Sequence, residues 1–478
     1  MCPPRLVMLR SAVISALFGV AVAGCASAPT APGDDLRGFV RFLEASHPRP
    51  HAYVQRDELA ALTEQEAQRL DQLGTPDDFA VGLALHRVLA RVADGHLAVA
   101  LPVFQDDVAD SLTLLPLLPK QLGEAFFVDA CTTELPRGTR LLAIDGEPIE
   151  ALWPQLEALV LADGHHASAR RMALERSFAR HYHLLRGMRP SYQVAVQRPG
   201  AEPEMITLTG VPRDAAGALA QERHSAPLWG PVSTEAQPWP FVVPVADGTV
   251  LLRLPSFGIA DQDGYRARVD ALFEDIDPDD TLILDLRGNE GGLRTHGVAV
   301  LNHVLGVPYS QWQSVAARVR RVPREFRPFT TFPFVPEEHL AALLEGAEPE
   351  GDRLVRTGDP LAARMVPHGE GHRGRLIAFV DGATNSAAVE LLTALRAFHP
   401  SAEVHGEPTG GECGRHVGEV PVVYTTPQRG VSVLMSLLAI GHVPTPGCVE
   451  GQGHTPDHEV VYDEAAFMAG ADPYLTGL

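Results

Sequence analysis

Lysine is almost absent from this chain of 478 residues: Lys120 is the only one among 39 basic residues, and the rest are arginines. Chemistry that needs a deprotonated amine therefore has a single candidate, because arginine does not deprotonate in proteins. Basic residues are also outnumbered by 60 acidic ones, which gives a net charge of −21. That balance excludes a general nucleic-acid binder, since such proteins need a basic surface.

Apolar runs are short as well, and the most prominent one lies at the N-terminus. It is "SAVISALFGVAVAG", too short to span a bilayer comfortably, and it ends in "VAGC" at Cys25. Small residues followed by cysteine resemble a bacterial lipobox, so we predict a lipoprotein signal peptide (1–24), lipidation of Cys25 and a flexible tether (25–34). The chain would then reside in the bacterial cell envelope, bound to a membrane by its lipid. A plain secretory signal cut near "ASA" is the alternative.

Cysteine is scarce, with five in the whole chain. Removal of the signal leaves Cys131, Cys413 and Cys448 in the folded region. Export permits disulfides, and Cys413 could pair with Cys448. Three reduced cysteines packed as small apolar residues would fit the sequence equally well.

The pattern along the chain changes from helical to β-rich and then to alternating β and α segments. Such alternation implies right-handed crossovers and a largely parallel sheet. The predicted divisions are an N-terminal helical region (35–100), a β-rich module (101–212), a connector (213–245) and an α/β core (246–470) with an insertion at about 308–372.

Two glycine-rich turns follow predicted strands of the core. They are "DLRGNEGG", from Asp285 to Gly292, and "DGATNS", from Asp381 to Ser386. Ligands bind at the carboxyl ends of strands in such sheets, and glycines let backbone N–H groups converge on an oxyanion. A phosphate-binding loop is excluded because neither turn contains GKS or GKT.

Ser386 stands at the corner between a predicted strand and a predicted helix. It is either an ordinary helix N-cap or a nucleophile. The helix N-terminus and the N–H of Ala387 would both favour negative charge developing nearby. A cap alone does not explain the second glycine-rich strand end, so the sequence favours catalysis.

The ordered motifs "LILDLRGNEGG", "TNSAAVELL" and "GEPTGG" resemble the C-terminal-processing (tail-specific) serine peptidase family. The resemblance implies a crotonase-like (ClpP/crotonase) α/β catalytic core with an N-terminal helical region. It also implies a PDZ-like β-rich module, matched by "GTRLLAIDGEP", for which any small β-rich domain is the alternative. It further implies Ser386 as nucleophile, the amides of Gly291 (or its neighbour) and Ala387 as oxyanion hole, a polypeptide substrate and no cofactor.

One branch of that family uses a lysine base after the "GE-T-G" turn, but "GEPTGGECGRH" contains none. The sequence instead resembles the tricorn-like/retinoid-binding-repeat-like branch with a histidine base, where "ADGHLAV" supplies His96. A structural turn histidine is the alternative. The same resemblance assigns the orienting acid to Glu450 in "CVEGQGHTPDHEV". Two positions depart from the pattern: Gly95 replaces a serine, and Glu390 follows the nucleophile by four residues instead of three.

A metal site is not expected, because Pro456 separates His454 from His458 and the other histidines show no ligand spacing. The sequence therefore predicts an exported serine peptidase. A catalytically idle protein that binds peptides or an apolar ligand, and a hydrolase of non-peptide esters or amides, are the alternatives.

Overall fold

The computed structural model describes residues 31–101, 113–132, 135–225, 238–360 and 365–476. The predicted signal peptide and Cys25 lie outside these residues. The helices within them are α1 (Asp34–Ser46), α2 (Arg56–Leu73), α3 (Asp78–Val92), α4 (Ile149–Glu157), α5 (Ala167–Arg186), α6 (Arg213–Ser225), α7 (Gln262–Glu274), α8 (Arg294–Val304), α9 (Glu337–Leu343), α10 (Ala387–Phe398) and α11 (Glu464–Ala469). The strands are β1 (Ala98–Ala100), β2 (Thr113–Leu114), β3 (Leu117–Leu122), β4 (Ala125–Cys131), β5 (Arg140–Ile144), β6 (Glu147–Pro148), β7 (Ser191–Gln197), β8 (Glu204–Thr209), β9 (Val211–Pro212), β10 (Phe241–Ala246), β11 (Thr249–Arg253), β12 (Thr281–Asp285), β13 (Trp312–Ala317), β14 (Thr330–Thr331), β15 (Glu348–Glu350), β16 (Arg353–Thr357), β17 (Leu376–Val380), β18 (Glu403–Gly406), β19 (Arg415–Thr425), β20 (Ser432–His442) and β21 (His458–Glu459).

The N-terminal helices form where the sequence predicts them. The Asp77 carboxylate caps α3 by accepting from the Ala80 N–H at 2.8 Å. The helix ends at Ala93, which takes a left-handed conformation and turns the chain towards β1.

The predicted parallel sheet is present, in the order β10-β11-β12-β17-β18-β21. In this sheet β11, β12, β17, β18 and β21 run parallel, and β10 pairs with β11 as an antiparallel edge strand. All five residues of β17 are buried, as expected for a strand covered on both faces. Residues of α7, α8 and α10 share a hydrophobic core with this sheet.

A second, seven-stranded antiparallel sheet was not expected from the sequence. Its order is β14-β19-β20-β13-β16-β15, with β1 also paired to β20. Residues 308–372 supply four of these strands, so the segment predicted as an insertion helps to form a sheet. No local pattern indicates this, since β13 and β14 pair with a hairpin far away in the chain. Their inner faces share a core with α1, α2 and α3.

The β-rich module contains an antiparallel sheet in the order β3-β4-β5-β7-β8, with β6 paired to β5, and it shares its core with α4 and α5. The residues after it differ from the predicted connector. The structure forms α6 there and β10 near its end, while 226–237 lie outside the described residues.

The predicted pairing of Cys413 with Cys448 is confirmed, and this disulfide closes a sequence separation of 35 residues. The alternative in which Cys131, Cys413 and Cys448 are all reduced is thereby excluded. In the part of the chain that the structure describes, no helix combines the length and the apolar character needed to cross a bilayer.

Candidate active site

Three turns meet at one edge of the parallel sheet, where the neighbouring strands β12, β17 and β18 end. The Gly288 N–H donates to both carboxylate oxygens of Asp381, each at 3.0 Å. The Thr384 hydroxyl donates to the Leu286 carbonyl at 3.0 Å, and the Thr384 carbonyl accepts from the Gly410 N–H at 3.0 Å. The three turns therefore form one hydrogen-bonded unit.

Ser386 ends the second of these turns and immediately precedes α10. Its backbone has φ +52° and ψ −124°, a conformation that is strained for any residue except glycine. The Ser386 side chain makes no capping hydrogen bond to α10. The helix-cap interpretation is therefore wrong, and the strained corner between strand and helix is the kind of site at which nucleophiles are found.

The partner of the Ser386 hydroxyl is His96. The distance from Ser386 Oγ to His96 Nε2 is 3.2 Å, although the two residues are 290 positions apart in the chain. The imidazole is mostly shielded, with 19% of its side chain exposed. A hydroxyl and an imidazole at this distance can exchange a proton.

His96 reaches Ser386 because β1, which begins two residues later, joins the antiparallel sheet. Ala98 of β1 pairs with Leu434 of β20. The His96 N–H donates to Asp94 Oδ1 at 2.7 Å, which fixes the turn between α3 and β1. The proposed base is thus anchored by a strand pairing on one side and by a turn on the other.

Two buried carboxylates, Asp94 and Asp163, lie beside His96. One carboxylate oxygen of each, together with a ring nitrogen of His96, forms a group whose members are all within 4.8 Å of one another. Asp94 Oδ2 accepts from His47 Nε2 at 2.8 Å. Burial raises the pKa of Asp94, but the hydrogen bonds from His47 and His96 outweigh it and hold that pKa well below the usual range.

Asp163 has a different environment. Its Oδ1 accepts from the Gly95 N–H at 2.7 Å. Burial raises the pKa of Asp163, and the negative charge of Asp94 acts in the same direction, whereas a positive charge on His96 would lower it. The carboxylate at Asp163 is therefore stabilised most when His96 is protonated.

A third histidine, His416, packs on the ring of His96 with the centroids 5.4 Å apart and the planes 28° apart. His442 Nδ1 donates to the Cys413 carbonyl at 2.8 Å, so its Nε2 is left to accept from His416 Nδ1 at 2.7 Å. Burial lowers the pKa of His442 to about 4 and that of His416 well below its usual value. A neutral ring consequently covers the face of His96.

Glu390 is a further buried side chain beside His416. Its Oε1 lies 3.4 Å from His416 Nε2, and its Oε2 lies 3.3 Å from Arg294 Nε. Burial raises the pKa of Glu390 to about 7, and the nearby Arg294 opposes the shift only in part.

The resemblance to the tricorn-like branch implied that Glu450 orients His96, but the structure does not bring the two residues together. The Glu450 side chain is 61% exposed, and its carboxylate lies 3.0 Å from Arg415 and 3.6 Å from Arg49. Two arginines on distant segments attract this carboxylate to the surface. The acids beside His96 are Asp94 and Asp163 instead.

Glu412 is the buried acid on the neighbouring strand-end turn. Its carboxylate accepts from Arg49 at 3.1 Å, from the Tyr53 hydroxyl and from the Gly451 N–H at 2.8 Å. Arg49 neutralises the charge of this carboxylate, and the three donors together fix its position. Glu412 thus links the residues after α1 to the turn that follows β18.

The two candidate oxyanion donors both lie at Ser386, but they are not equivalent. A Cβ atom on Gly291 would come within 2.7 Å of Ser386 Cβ and 2.9 Å of the Ala387 nitrogen, so only glycine fits. The Gly291 N–H, however, donates to Asn289 Oδ1 at 2.9 Å. Within the described residues, the Ala387 N–H has no hydrogen-bond acceptor.

In the described parts of the chain, four groups of histidines and carboxylates are compact enough to be weighed as metal sites, two at this site and two elsewhere. In the buried group around His416, the two imidazole nitrogens are 2.7 Å apart, a hydrogen-bond distance. Two nitrogens bound to one zinc ion at about 2.0–2.1 Å would be about 3.3 Å apart. His454, which the sequence singled out, has its Nε2 2.8 Å from the Thr393 hydroxyl.

Sequence reasoning missed Asp94, Asp163 and His416. A signal for the first two was available, because the tetrapeptide ADGH occurs twice, at 93–96 and 162–165. No comparable signal marks His416, which reaches His96 only through the pairing of β19 with β20.

The sequence model of peptidase family S41 matches residues 248–460, which include both strand-end turns and Ser386. No curated protein sequence matches the chain.

Solved structures resemble the chain over almost its full length. Mature CPAF is 15% identical, with 93% of this chain and 95% of CPAF covered and a TM-score of 0.64. Mature CPAF complexed with lactacystin is 15% identical, with 92% and 95% covered and a TM-score of 0.63. At this identity the likeness establishes the fold. Residues 248–460 therefore carry the sequence signature of peptidase family S41, which identifies this region as that of a serine-type peptidase.

Proposed function

We propose that the chain hydrolyses peptide bonds with Ser386 as nucleophile and His96 as general base. The observation that carries this proposal is the 3.2 Å distance between Ser386 Oγ and His96 Nε2, with the hydroxyl on a strained corner instead of capping its helix. A neutral imidazole is a suitable base near neutrality, since its ordinary pKa is about 6.5.

In the first half of the reaction, Ser386 Oγ attacks the peptide carbonyl carbon while its proton passes to His96 Nε2. The tetrahedral intermediate then collapses, the C–N bond breaks, and the imidazolium gives its proton to the leaving amine. In the second half, water attacks the carbonyl carbon of the acyl-enzyme and gives a proton to His96. The bond between that carbon and Ser386 Oγ then breaks, the imidazolium returns its proton to Ser386 Oγ, and the acid product leaves.

The oxyanion of each intermediate is held by two backbone amides, of which Ala387 is the first. For the second, we favour Gly292 over Gly291. The Gly291 carbonyl accepts from the Phe257 N–H at 3.1 Å, and in a trans peptide the N–H of Gly292 points the opposite way. The Gly291 N–H already donates to Asn289, so the role of Gly291 is to let the turn approach Ser386.

The scaffold around this site is proposed to be crotonase-like, and the β-rich module to be PDZ-like. The antiparallel sheet of that module, with α4 and α5 in its core, is consistent with a domain that presents a polypeptide strand to the cleft by β-addition.

Export and lipid anchoring at Cys25 are part of the proposal. The Cys413–Cys448 disulfide supports it, because such bonds persist in oxidising compartments. Lipid labelling in cells would detect modification of Cys25, with Cys25→Ser as control. An unmodified mature N-terminus at another residue would contradict the anchor.

A fluorophosphonate probe tests the catalytic proposal, applied to wild type, Ser386→Ala, His96→Ala and a control, His399→Ala, whose histidine ends α10. We expect labelling and peptide cleavage in wild type and the control only. Labelling that persists in Ser386→Ala would refute the nucleophile, and activity that persists in His96→Ala would refute the base. A wild type that neither labels nor cleaves would favour an idle binding protein, and cleavage of esters alone would favour the non-peptide hydrolase.

A further inference from the structure

The two ADGH turns of the chain dock on each other directly behind His96. The Gly95 N–H of the first turn donates to Asp163 Oδ1 of the second at 2.7 Å. In return, the Gly164 N–H of the second turn donates to the Ala93 carbonyl of the first at 2.9 Å. The β-rich module therefore places a carboxylate against the residue that precedes the base.

The second oxygen of this carboxylate, Oδ2, is buried as well. Asp163 is only 5% exposed, and among the described residues its Oδ2 makes no hydrogen bond. A buried carboxylate oxygen without a donor is costly, because it has lost its hydrogen bonds to water without replacement. One oxygen of the Asp163 carboxylate lies within 4.8 Å of a ring nitrogen of His96, so a small movement of either side chain would bring the two into contact.

Both carboxylate oxygens of Asp94 already accept a hydrogen bond from a group other than the His96 ring. His47 Nδ1 accepts from the Arg49 N–H at 3.1 Å, so the proton of His47 is on Nε2 and is donated to Asp94 Oδ2. Asp94 Oδ1 accepts the His96 N–H and stays 3.7 Å from His96 Nδ1. Asp94 thus fixes the backbone of the turn through Oδ1, and its carboxylate stays beyond ordinary hydrogen-bond distance of the ring nitrogen.

Glycine at position 95 is required for this arrangement. A Cβ atom there would lie 3.0 Å from Asp163 Oδ1 and 3.3 Å from the Asp163 nitrogen. Both contacts are tighter than ordinary van der Waals distances, so a side chain would press the carboxylate away from His96.

We propose that Asp163 is the positioning residue for His96: its Oδ2 accepts the Nδ1 proton, keeps Nε2 unprotonated towards Ser386, and stabilises the imidazolium formed during catalysis. The inference rests on the proposed function, and it assigns to the β-rich module the acid that the sequence assigned to Glu450. The other titratable or charged groups facing this cluster are His47, Arg49, Tyr53, Asp94, Glu412 and His416.

Asp163→Asn is the informative variant, because its amide oxygen can still accept from the Gly95 N–H and preserve the docking of the turns. Its amide group would replace Oδ2 by a donor, which favours a proton on Nε2, the wrong nitrogen for a base. Asp163→Glu retains the carboxylate and should be partly active. The matched control is Asp35→Asn, since Asp35 is also a buried carboxylate that accepts backbone N–H groups, from Gln428 and Arg429 at 3.0 Å each.

The first readout is the rate of fluorophosphonate labelling of the full chain from pH 5 to 9. We expect Asp163→Asn to lose about 100-fold or more and to shift the pH midpoint downwards, whereas Asp35→Asn and Glu450→Gln should keep the wild-type rate within about threefold. Wild-type rate and midpoint in Asp163→Asn would overturn the inference, as would a comparable loss in Glu450→Gln.

The second readout does not need activity. The His96 ring can be titrated by NMR in a Ser386→Ala background, with His96→Gln used for assignment. Loss of the neighbouring carboxylate in Asp163→Asn should lower the midpoint of His96 by about one pH unit or more, because an opposite charge at close range favours the charged ring. An unchanged midpoint would refute the positioning role even if the wild type proved inactive, and an inactive wild type with a shifted midpoint would sink only the proposed function.

Discussion

Replacing Ser386 by glycine should make the protein more stable than replacing it by alanine. Ser386 adopts φ +52° and ψ −124°, and alanine would keep the Cβ atom that makes this conformation strained. Such strain costs about 1–3 kcal/mol, and glycine would relieve it. Glycine also gives the unfolded chain more freedom, which offsets about 0.5–1 kcal/mol. The midpoints of these ranges give an expected net gain of Ser386→Gly over Ser386→Ala of about 1 kcal/mol.

The comparison isolates the backbone, because both variants remove the hydroxyl and with it the contact to His96. Differential scanning calorimetry should show a Tm higher by about 2–4 °C for each kcal/mol gained in a domain of this size. The control is Ala397→Gly, at a regular position of α10, which should lose about 1 kcal/mol. A Tm of Ser386→Gly equal to or below that of Ser386→Ala would show that the corner is not strained.

Three further outcomes are expected. Gly291→Ala should abolish probe labelling and lower the Tm, because the new methyl group would come within 2.7 Å of Ser386 Cβ; retained labelling would contradict the close approach. The pKa of Glu390 is raised to about 7, so its contribution to stability is complete below its unfolded pKa of about 4.5 and is lost as the pH rises through 7. Glu390→Gln should accordingly flatten the fall in Tm between pH 5 and 8, and an equal slope in both proteins would contradict this. Replacing Cys413 and Cys448 by alanine should cost about 4 kcal/mol by loop entropy, measured by denaturant unfolding, and a loss below about 1 kcal/mol would argue against that account.

The parallel sheet was predictable because its signals are local. Each strand, turn and helix of the core is contiguous in the sequence, and the carboxyl ends of neighbouring parallel strands meet at one edge. This is why the turns containing Gly288 and Ser386 can be placed together from their sequence patterns alone. His96 is indicated by a short sequence motif, whereas nothing local in the sequence indicates its distance from Ser386.

The antiparallel sheet and the acid of the site were not predictable in the same way. Strands β13 and β14 pair with a hairpin at 415–442, and no local pattern specifies such a partner. Glu450 has the sequence position of an orienting acid, yet Arg415 and Arg49 hold it at the surface. Which carboxylate reaches His96 depends on how the β-rich module docks, and that is a property of the tertiary structure alone.

The contact between His96 and Ser386 joins two sheets, and this explains why so short a strand as β1 matters. Ser386 is fixed by the end of β17 in the parallel sheet, whereas His96 is fixed by the pairing of Ala98 with Leu434 in the antiparallel sheet. A slip of one residue in that pairing would turn every side chain of β1 to the opposite face of the sheet. The three residue pairs between β1 and β20 specify the register only weakly. The hydrogen bond from Gly95 to Asp163 adds an anchor on the other side of His96, so the same carboxylate that we propose to orient the ring also holds the turn that carries it.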